Sequence, residues 1–294
     1  MQKTSPPKLF NHKRLAAGLL RAKMINKPDA DFLTRIAAET ITERLDATNR
    51  DFETVADLFS HHECVQDILN RSPKTRRIIS VKTPLHAGGS NGSTKQITVV
   101  EGDLDFLPFG KDTLNLVTSI FGLHWSNDLP GMFAQIHNAL APDGLFLAAL
   151  PGDQTLRELR ECLIEAETEL SGSISLRVEP FGEVRQLGAL LQRAGFALPV
   201  IDTELYTVRY ASMHALIEDL RAMGATSKLL AHAGFGPKNL FDRAEKIYQQ
   251  KYSDTDGRIR ATFEVVFLSG WTPHASQQQP LKPGTAKSRL KDFL

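Results

Sequence analysis

Cysteine is scarce in this chain of 294 residues: Cys64 and Cys162 are its two. Two thiols make no disulfide framework, so a hydrophobic core has to hold the fold, and a reducing cytoplasm suits the chain. No apolar run approaches the ~20 residues that a membrane-spanning helix needs. An excess of charge of one sign is missing as well. The 35 basic and 34 acidic residues leave a net charge of +1, and the basic ones are scattered. Nucleic acid and membrane surfaces therefore have no footprint here. The chain has no G-x-S-x-G elbow, no Walker loop and no catalytic-cysteine signature. Acid is absent from the first 28 residues, which do contain Lys and Arg. That composition is like an organellar presequence, which would point to the mitochondrial matrix. The plainer reading is a basic first helix from Leu9 to Met24 lying across the domain.

What is present is a core. Hydrophobic residues make up 41% of the chain, enough for one large α/β domain. The pattern is densest between Glu101 and Leu150. Ile97–Val100 is a short β-branched run, and Thr113–Ile120 is a second apolar run. Asn127–Leu140 has helical spacing, with Leu129, Met132, Phe133, Ile136 and Leu140 on one face. Pro142-Asp143-Gly144 signals a turn before a third apolar strand, Leu145–Leu150. Near-continuous apolar strands separated by helices imply a parallel sheet covered on both faces. Upstream, Asp51–Leu58 and Arg77–Val81 read as two more strands of that sheet. Asp31–Asn49 and Cys64–Leu69 read as helices. Downstream, a helix opens near Gly152 and runs to Ser171, capped by Asp153 or Thr155. Its Arg157 and Arg160 share a face and are expected to pair with Glu161 and Glu165. Further helices follow at Glu183–Ala194, Met213–Met223 and Leu240–Tyr252. Phe196–Tyr210 is read as two antiparallel strands, and Ile259–Trp271 as a last strand. The organisation expected is a tail and helices over 1–50, a domain over 51–271, and a disordered tail over 272–294.

Three segments carry a resemblance. GDLDFLPF, NLVTSIFGLHWSNDLP and IHNALAPDGLFLAAL resemble the later half of class I S-adenosylmethionine-dependent methyltransferases. HWSNDLP, APDGLF, GDQTLRELR and FGEVRQLGALLQRAGF are similar, more narrowly, to a family of complex I assembly methyltransferase-like proteins, reputed arginine hydroxylases, and to its bacterial relatives. The malonyl-carrier-protein methyltransferases of biotin synthesis are more distant kin. The likeness runs from about Leu9 to the last fifteen residues. It implies a Rossmann-like seven-stranded fold with N-terminal helices and a helical insertion in the C-terminal half. It also implies S-adenosylmethionine as cofactor and a respiratory complex I subunit as partner.

The resemblance assigns site residues, and the sequence departs from it at two of them. The family pattern at the end of the first strand is an acid, an apolar residue, then a glycine-rich turn that lets the backbone approach the cofactor. Asp57-Leu58 keep the first part, but Phe59-Ser60-His61-His62-Glu63 contain no glycine. After the second strand the family offers an acid to the ribose hydroxyls; here the residues are Lys82-Thr83-Pro84. Asp103 and Leu104 match the adenine-contacting pair, and Ser119 and Asp57 complete the expected cofactor set. His124 is a candidate base or hydrogen-bond donor, with packing against Trp125 as the alternative. Ser126 or Asn127 is expected to cap the next helix. His61-His62-Glu63-Cys64 holds metal-ligand types, but adjacent residues seldom converge on one ion, so no metal is expected. The glycine pair in 86–95 follows no helix start and reads as a linker.

Two functions follow. One is an enzyme, a methyltransferase or a protein-arginine hydroxylase. The other is a catalytically degenerate assembly protein that binds S-adenosylmethionine weakly. In the second, the partner face would carry Trp125, Asp153, Arg157, Arg160 and the loop Gly224–Ser227.

Overall fold

The computed structural model describes residues 8–83, 97–231, 234 and 236–278. The linker expected at 86–95 and most of the expected C-terminal tail lie outside them. Seven strands form one sheet: β1 (Phe52–Leu58), β2 (Thr75–Lys82), β3 (Ile97–Glu101), β4 (Leu114–Ile120), β5 (Leu140–Pro151), β6 (Ala197–Tyr210) and β7 (Ile259–Trp271). Their order is β3-β2-β1-β4-β5-β7-β6. β1 to β5 are parallel, and β7 runs antiparallel to both β5 and β6. The strand order reverses between β1 and β4, and the crevice at such a switch point is where open α/β sheets hold ligands.

The apolar runs serve two faces at once. Ala56, Leu58, Phe146, Ala148, Leu150, Val266 and Leu268 pack into one cluster. Their neighbours Val55, Leu145, Leu147, Ala149, Val265 and Phe267 pack into another on the opposite face. That is the two-residue period of a strand buried on both sides. Helix α4 (Leu129–Ala139) brings Met132, Phe133 and Ile136 to the first face, together with Leu187 and Leu191 of α6 (Val184–Arg193). On the second face lie α2 (Phe32–Ala47), through Ala37, Ala38, Ile41 and Leu45, and α3 (Glu63–Arg71), through Val65 and Leu69. A third cluster joins α5 (Arg157–Ser171), α7 (Met213–Ala222) and α8 (Leu240–Tyr252) to the start of β7. Helix α1 (His12–Ile25) is capped by Asn11, whose side chain accepts from the Lys13 and Arg14 amides.

Several expectations are corrected. Phe196–Tyr210 is a single strand of 14 residues from Ala197, paired along β7, and not a pair of strands. The α4 cap is Asp128, which accepts from the Gly131 amide at 2.9 Å; Ser126 and Asn127 are drawn into the loop before it. Helix α5 begins at Arg157 behind a left-handed Leu156 (φ 56°), with no side-chain cap. Thr155 and the backbone of Glu264 are instead bonded to each other in both directions. Arg157 reaches Gln154 and Glu158, while Arg160 donates to the Asp153 and Thr155 carbonyls. Glu161 and Glu165 face α8, where they accept from Tyr252 and Lys251. The turn signal at Pro142-Asp143-Gly144 falls inside β5, which keeps a left-handed Asp143.

Candidate functional site

β1 ends in the turn that carries Phe59 to His62. Phe59 has φ 57° and a fully buried side chain. Its amide donates to the Val81 carbonyl at 2.8 Å. Left-handed backbone is cheap for glycine and costly for a residue with a Cβ, so this turn keeps a glycine's conformation while carrying a phenylalanine. A Cβ on Gly122 would overlap the Phe59 backbone, and one on Gly102 would lie 3.5 Å from its ring. The turn is therefore packed solidly against its neighbours.

Asp57 is fully enclosed. Its Oδ1 accepts from the Ser60 hydroxyl at 2.5 Å, and among the described residues its Oδ2 has no hydrogen-bond partner. Burial pushes this carboxyl above its usual range, with Lys82 opposing the shift. Lys82 is itself buried and donates to the Ser60 carbonyl. Where the resemblance leads one to expect an acid for ribose, the chain has a cation directed at its own turn. Ser119 is also buried behind the turn, its hydroxyl donating to the Leu58 carbonyl at 2.7 Å. Asp103 and Leu104 stand apart from these two. They border a cleft of ≈ 600 Å³ with Thr83, Gly102 and His12 of α1. Asp103 Oδ1 accepts from the Asp105 amide at 2.8 Å. His12, Asp103 and Asp105 also bring metal-ligand atoms within 4.8 Å of one another. Asp105 caps the Asn127 amide, and His12 Nε2 sits 3.1 Å from the Trp125 carbonyl.

A second cavity, ≈ 100 Å³, lies at the carboxyl ends of β4 and β5. His124 and Trp125 line it, as do His61 and His62, Thr155, Glu179, Phe181, Phe263 and Glu264. The rings of His124 and Trp125 are 4.0 Å apart between centroids. Burial pushes the His124 imidazole down to about 3, so it is neutral at physiological pH, and its enclosed Nδ1 has no hydrogen-bond partner among the described residues. Trp125 Nε1 donates to Glu179 Oε2 at 3.1 Å, and the Lys228 amide donates to Glu179 Oε1. Burial raises Glu179 above its ordinary range. The Lys228 ammonium lies 5.9 Å from the Trp125 ring, donates to Thr226 at 3.0 Å, and is lowered to about 8 by burial. Of the residues placed on the partner face, Trp125 and Ala225 border this cavity. Asp153, Arg157 and Arg160 do not.

Glu179, Lys228 and Glu264 have no motif to betray them. The available clue is chemical: Glu264 is the lone acid in the apolar run of β7, and a lone acid on a buried strand needs a reason.

The comparisons with known proteins place this geometry. A methyltransferase-domain model matches residues 79–148, a span that begins downstream of the Phe59 turn. The NDUFAF5 arginine-hydroxylase of Rattus norvegicus, a mitochondrial protein, is 36% identical over 90% of this chain and 77% of its own. The chain belongs to the NDUFAF5 family. The human member is 35% identical over 87% of this chain and 74% of its own. A malonyl-[acyl-carrier protein] O-methyltransferase of Nitrosospira multiformis is 32% identical over 77% and 69%. Among solved structures, a putative methyltransferase of Bacillus halodurans is 14% identical and covers 80% of this chain and 98% of its own, with a TM-score of 0.53. That likeness shows the fold, a Rossmann-like methyltransferase sheet. No helix among the described residues is long and apolar enough to cross a membrane.

Methyltransferase membership implies S-adenosylmethionine in general, and the residues can be tested for it. Asp103 and Leu104 present an open cleft. Against that, the turn where the resemblance leads one to expect glycine carries a buried Phe59, and the position where it leads one to expect a ribose acid holds a buried lysine. This donor set does not make a complete cradle for the cofactor.

Proposed function

We propose that this protein acts on an arginine side chain of a respiratory complex I subunit, in the cytoplasm of a cell that carries the complex in its own membrane. The observation behind this is the lining of the cavity at β4 and β5. It has aromatic walls and two glutamates, and among the described residues no lysine or arginine lines it. Such a lining favours a cation, because buried carboxylates repel an anionic group and complement a guanidinium. It disfavours a malonyl carboxylate, the group that the carrier-protein methyltransferases act on by name. Membership of the NDUFAF5 family supports the same choice. A second reading, a binding protein that aids assembly without chemistry, is favoured by Phe59 and Lys82, which occupy the positions where a cofactor would need space and an acid.

A deletion strain tests both. It is expected to assemble complex I poorly, and mass spectrometry is expected to find an arginine of a complex I subunit bearing one extra oxygen in the wild type and not in the deletion. Poor assembly with no change at any arginine would favour the second reading. Normal complex I in the deletion strain would end both.

A further inference from the structure

A further cavity opens beside the one at β4 and β5. The two share Leu156, Glu179, Phe181, Leu220 and Ala225, so they have a common wall. This outer cavity holds ≈ 230 Å³, against the roughly 10–15 Å³ that one water needs. Its floor is aliphatic and buried, with Leu159 and Leu163 from α5 and Leu220 from α7. Two segments form its lips, one from Leu176 to Phe181 and the other from Ala225 to Ala231. Its rim is apolar yet open to water. Leu176 is 47% exposed and Phe241, in the first turn of α8, 49%, and both border the cavity. Leu170, Ile174 and Leu230, on the adjoining segments, are exposed as well. A 3.0 Å bond from Arg243 to Glu169 ties the start of α8 to the end of α5 and holds the rim together. Single apolar residues on a surface need no explanation, but a cluster of them around a cavity mouth marks a binding site.

The two cavities differ in character. The inner one has aromatic walls and carboxylates, and the outer one has aliphatic walls. The charges at the outer one are engaged within the protein: Arg177 is held by Glu167, and Glu179 by Trp125 and the Lys228 amide. Arg14 donates to the Leu229 carbonyl at 2.9 Å. At the lip stand the hydroxyls of Thr226 and Ser227, and Ser227 is exposed. These belong to the loop Gly224–Ser227, which the sequence placed on the partner face. A ligand that presents two unlike side chains from one backbone, with amides between them for those hydroxyls, is a polypeptide segment. In an extended chain residues i and i+2 point the same way, about 7 Å apart, a spacing that suits neighbouring cavities with a common wall. An acyl chain suits the outer cavity alone.

We infer that the outer cavity is a second substrate subsite, which takes a bulky aliphatic side chain two residues from the target arginine in an extended segment of the partner polypeptide. This rests on the reading of the inner cavity as an arginine site. The inner cavity selects the residue type, and the outer one selects among such residues by their neighbour. An apolar anchor in a preformed pocket carries much of the affinity of such a contact.

The test is calorimetry of the full chain with capped heptapeptides that are glycine except for a central arginine and a leucine two residues to either side. A control peptide has serine in place of both leucines, and a third keeps the leucines and has citrulline at the centre. The leucine peptide is expected to bind at least ~10-fold more tightly than the serine peptide. The double variant Leu176→Ser/Phe241→Ser removes half-exposed side chains that do not line the inner cavity. It is expected to bring the two arginine peptides to equal affinity. Ser227→Glu, a single change at the exposed lip, is the independent variant and is expected to weaken the leucine peptide alone. No preference for leucine in the wild type, or a preference that survives in both variants, overturns the inference. The arginine reading is judged separately, by whether arginine outbinds citrulline. A leucine preference with equal binding of arginine and citrulline overturns that reading and leaves the aliphatic subsite standing. A dilution-dependent mass in sedimentation velocity that the double variant abolishes would assign the rim to a second copy of the chain. A rise in affinity for the leucine peptide on removal of residues 279–294 would assign it to the chain's own end. Either result overturns the inference.

Discussion

His124 carries a chemical choice in one ring. Its imidazole is held neutral down to about 3 by burial, whereas an unfolded chain takes up the proton near the usual 6.5. Between those values the unfolded state binds more protons, so this group's contribution to stability falls as pH falls below about 6.5. His124→Gln cannot titrate. The wild type is therefore expected to lose stability on acidification faster than the variant, by up to ~1.4 kcal/mol per pH unit. Urea melts of both proteins across that window check it. Glu179 and Asp57, with carboxyls raised by burial, act in the opposite sense near their own range. They are common to both proteins and cancel in the difference. At Phe59, backbone strain opposes packing. Its left-handed backbone costs roughly 1–2 kcal/mol, and loss of its buried ring costs roughly 3–5 kcal/mol. Packing of the ring outweighs the strain, so Phe59→Gly is expected to destabilise the fold by about 2 kcal/mol net, read from urea midpoints. An unchanged or raised midpoint would mean that strain in the turn outweighs packing.

Between elements, the segment from α5 to α6 delivers Glu179 to the cavity, and an ion pair fixes it. Arg177 spans both oxygens of Glu167, at 2.9 and 3.3 Å, and Glu167 also accepts from the Ser175 amide and hydroxyl. The pair is buried, with side-chain exposures of 11% and 3%. Arg177 holds the Glu167 carboxyl below its usual range, so the stabilisation is present above the ordinary carboxylate pKa and is lost as pH drops through the lowered one. Removing one partner leaves a buried charge alone, which costs about 3–5 kcal/mol. Arg177→Ala is expected to destabilise by that amount and to loosen Trp125 through Glu179, visible as a shift in tryptophan emission. A melting temperature equal to wild type would show that the pair is incidental. Strand β6 shows where an element escapes its sequence pattern. Its residues are largely exposed at the sheet edge, and its pairing is irregular between Ala197 and Val200, so Pro199 is tolerated inside a strand that continues past it.

For the whole molecule, the question is whether a methyltransferase sheet still holds the methyl donor. Loss of a charged ribose hydrogen bond is worth roughly 1.5–3 kcal/mol, or about one to two decades of affinity. The Phe59 ring adds to that. Calorimetry is expected to show S-adenosylmethionine binding at least ~10-fold weaker than in relatives with a glycine turn, and micromolar or tighter binding would show that Phe59 to Glu63 and Lys82 leave the cradle intact.

The sequence by itself determined the sheet. Alternation and apolar runs are local properties, and β1 to β5 and β7 each carry enough of them to place strand, helix and face. It also determined that the Phe59 turn and the Lys82 position depart from the methyltransferase pattern, since a missing glycine or acid is visible one residue at a time. Only the tertiary structure decided what lines the cavity. Glu179, Lys228 and Glu264 come from a loop, a second loop and the last strand, and the turn after β5 brings the Gln154 amide onto Glu264. No spacing rule links them, because Glu264 is brought to the end of β5 by the sheet order that sets β5 beside β7, and its carboxyl fits there because Gly152 leaves room.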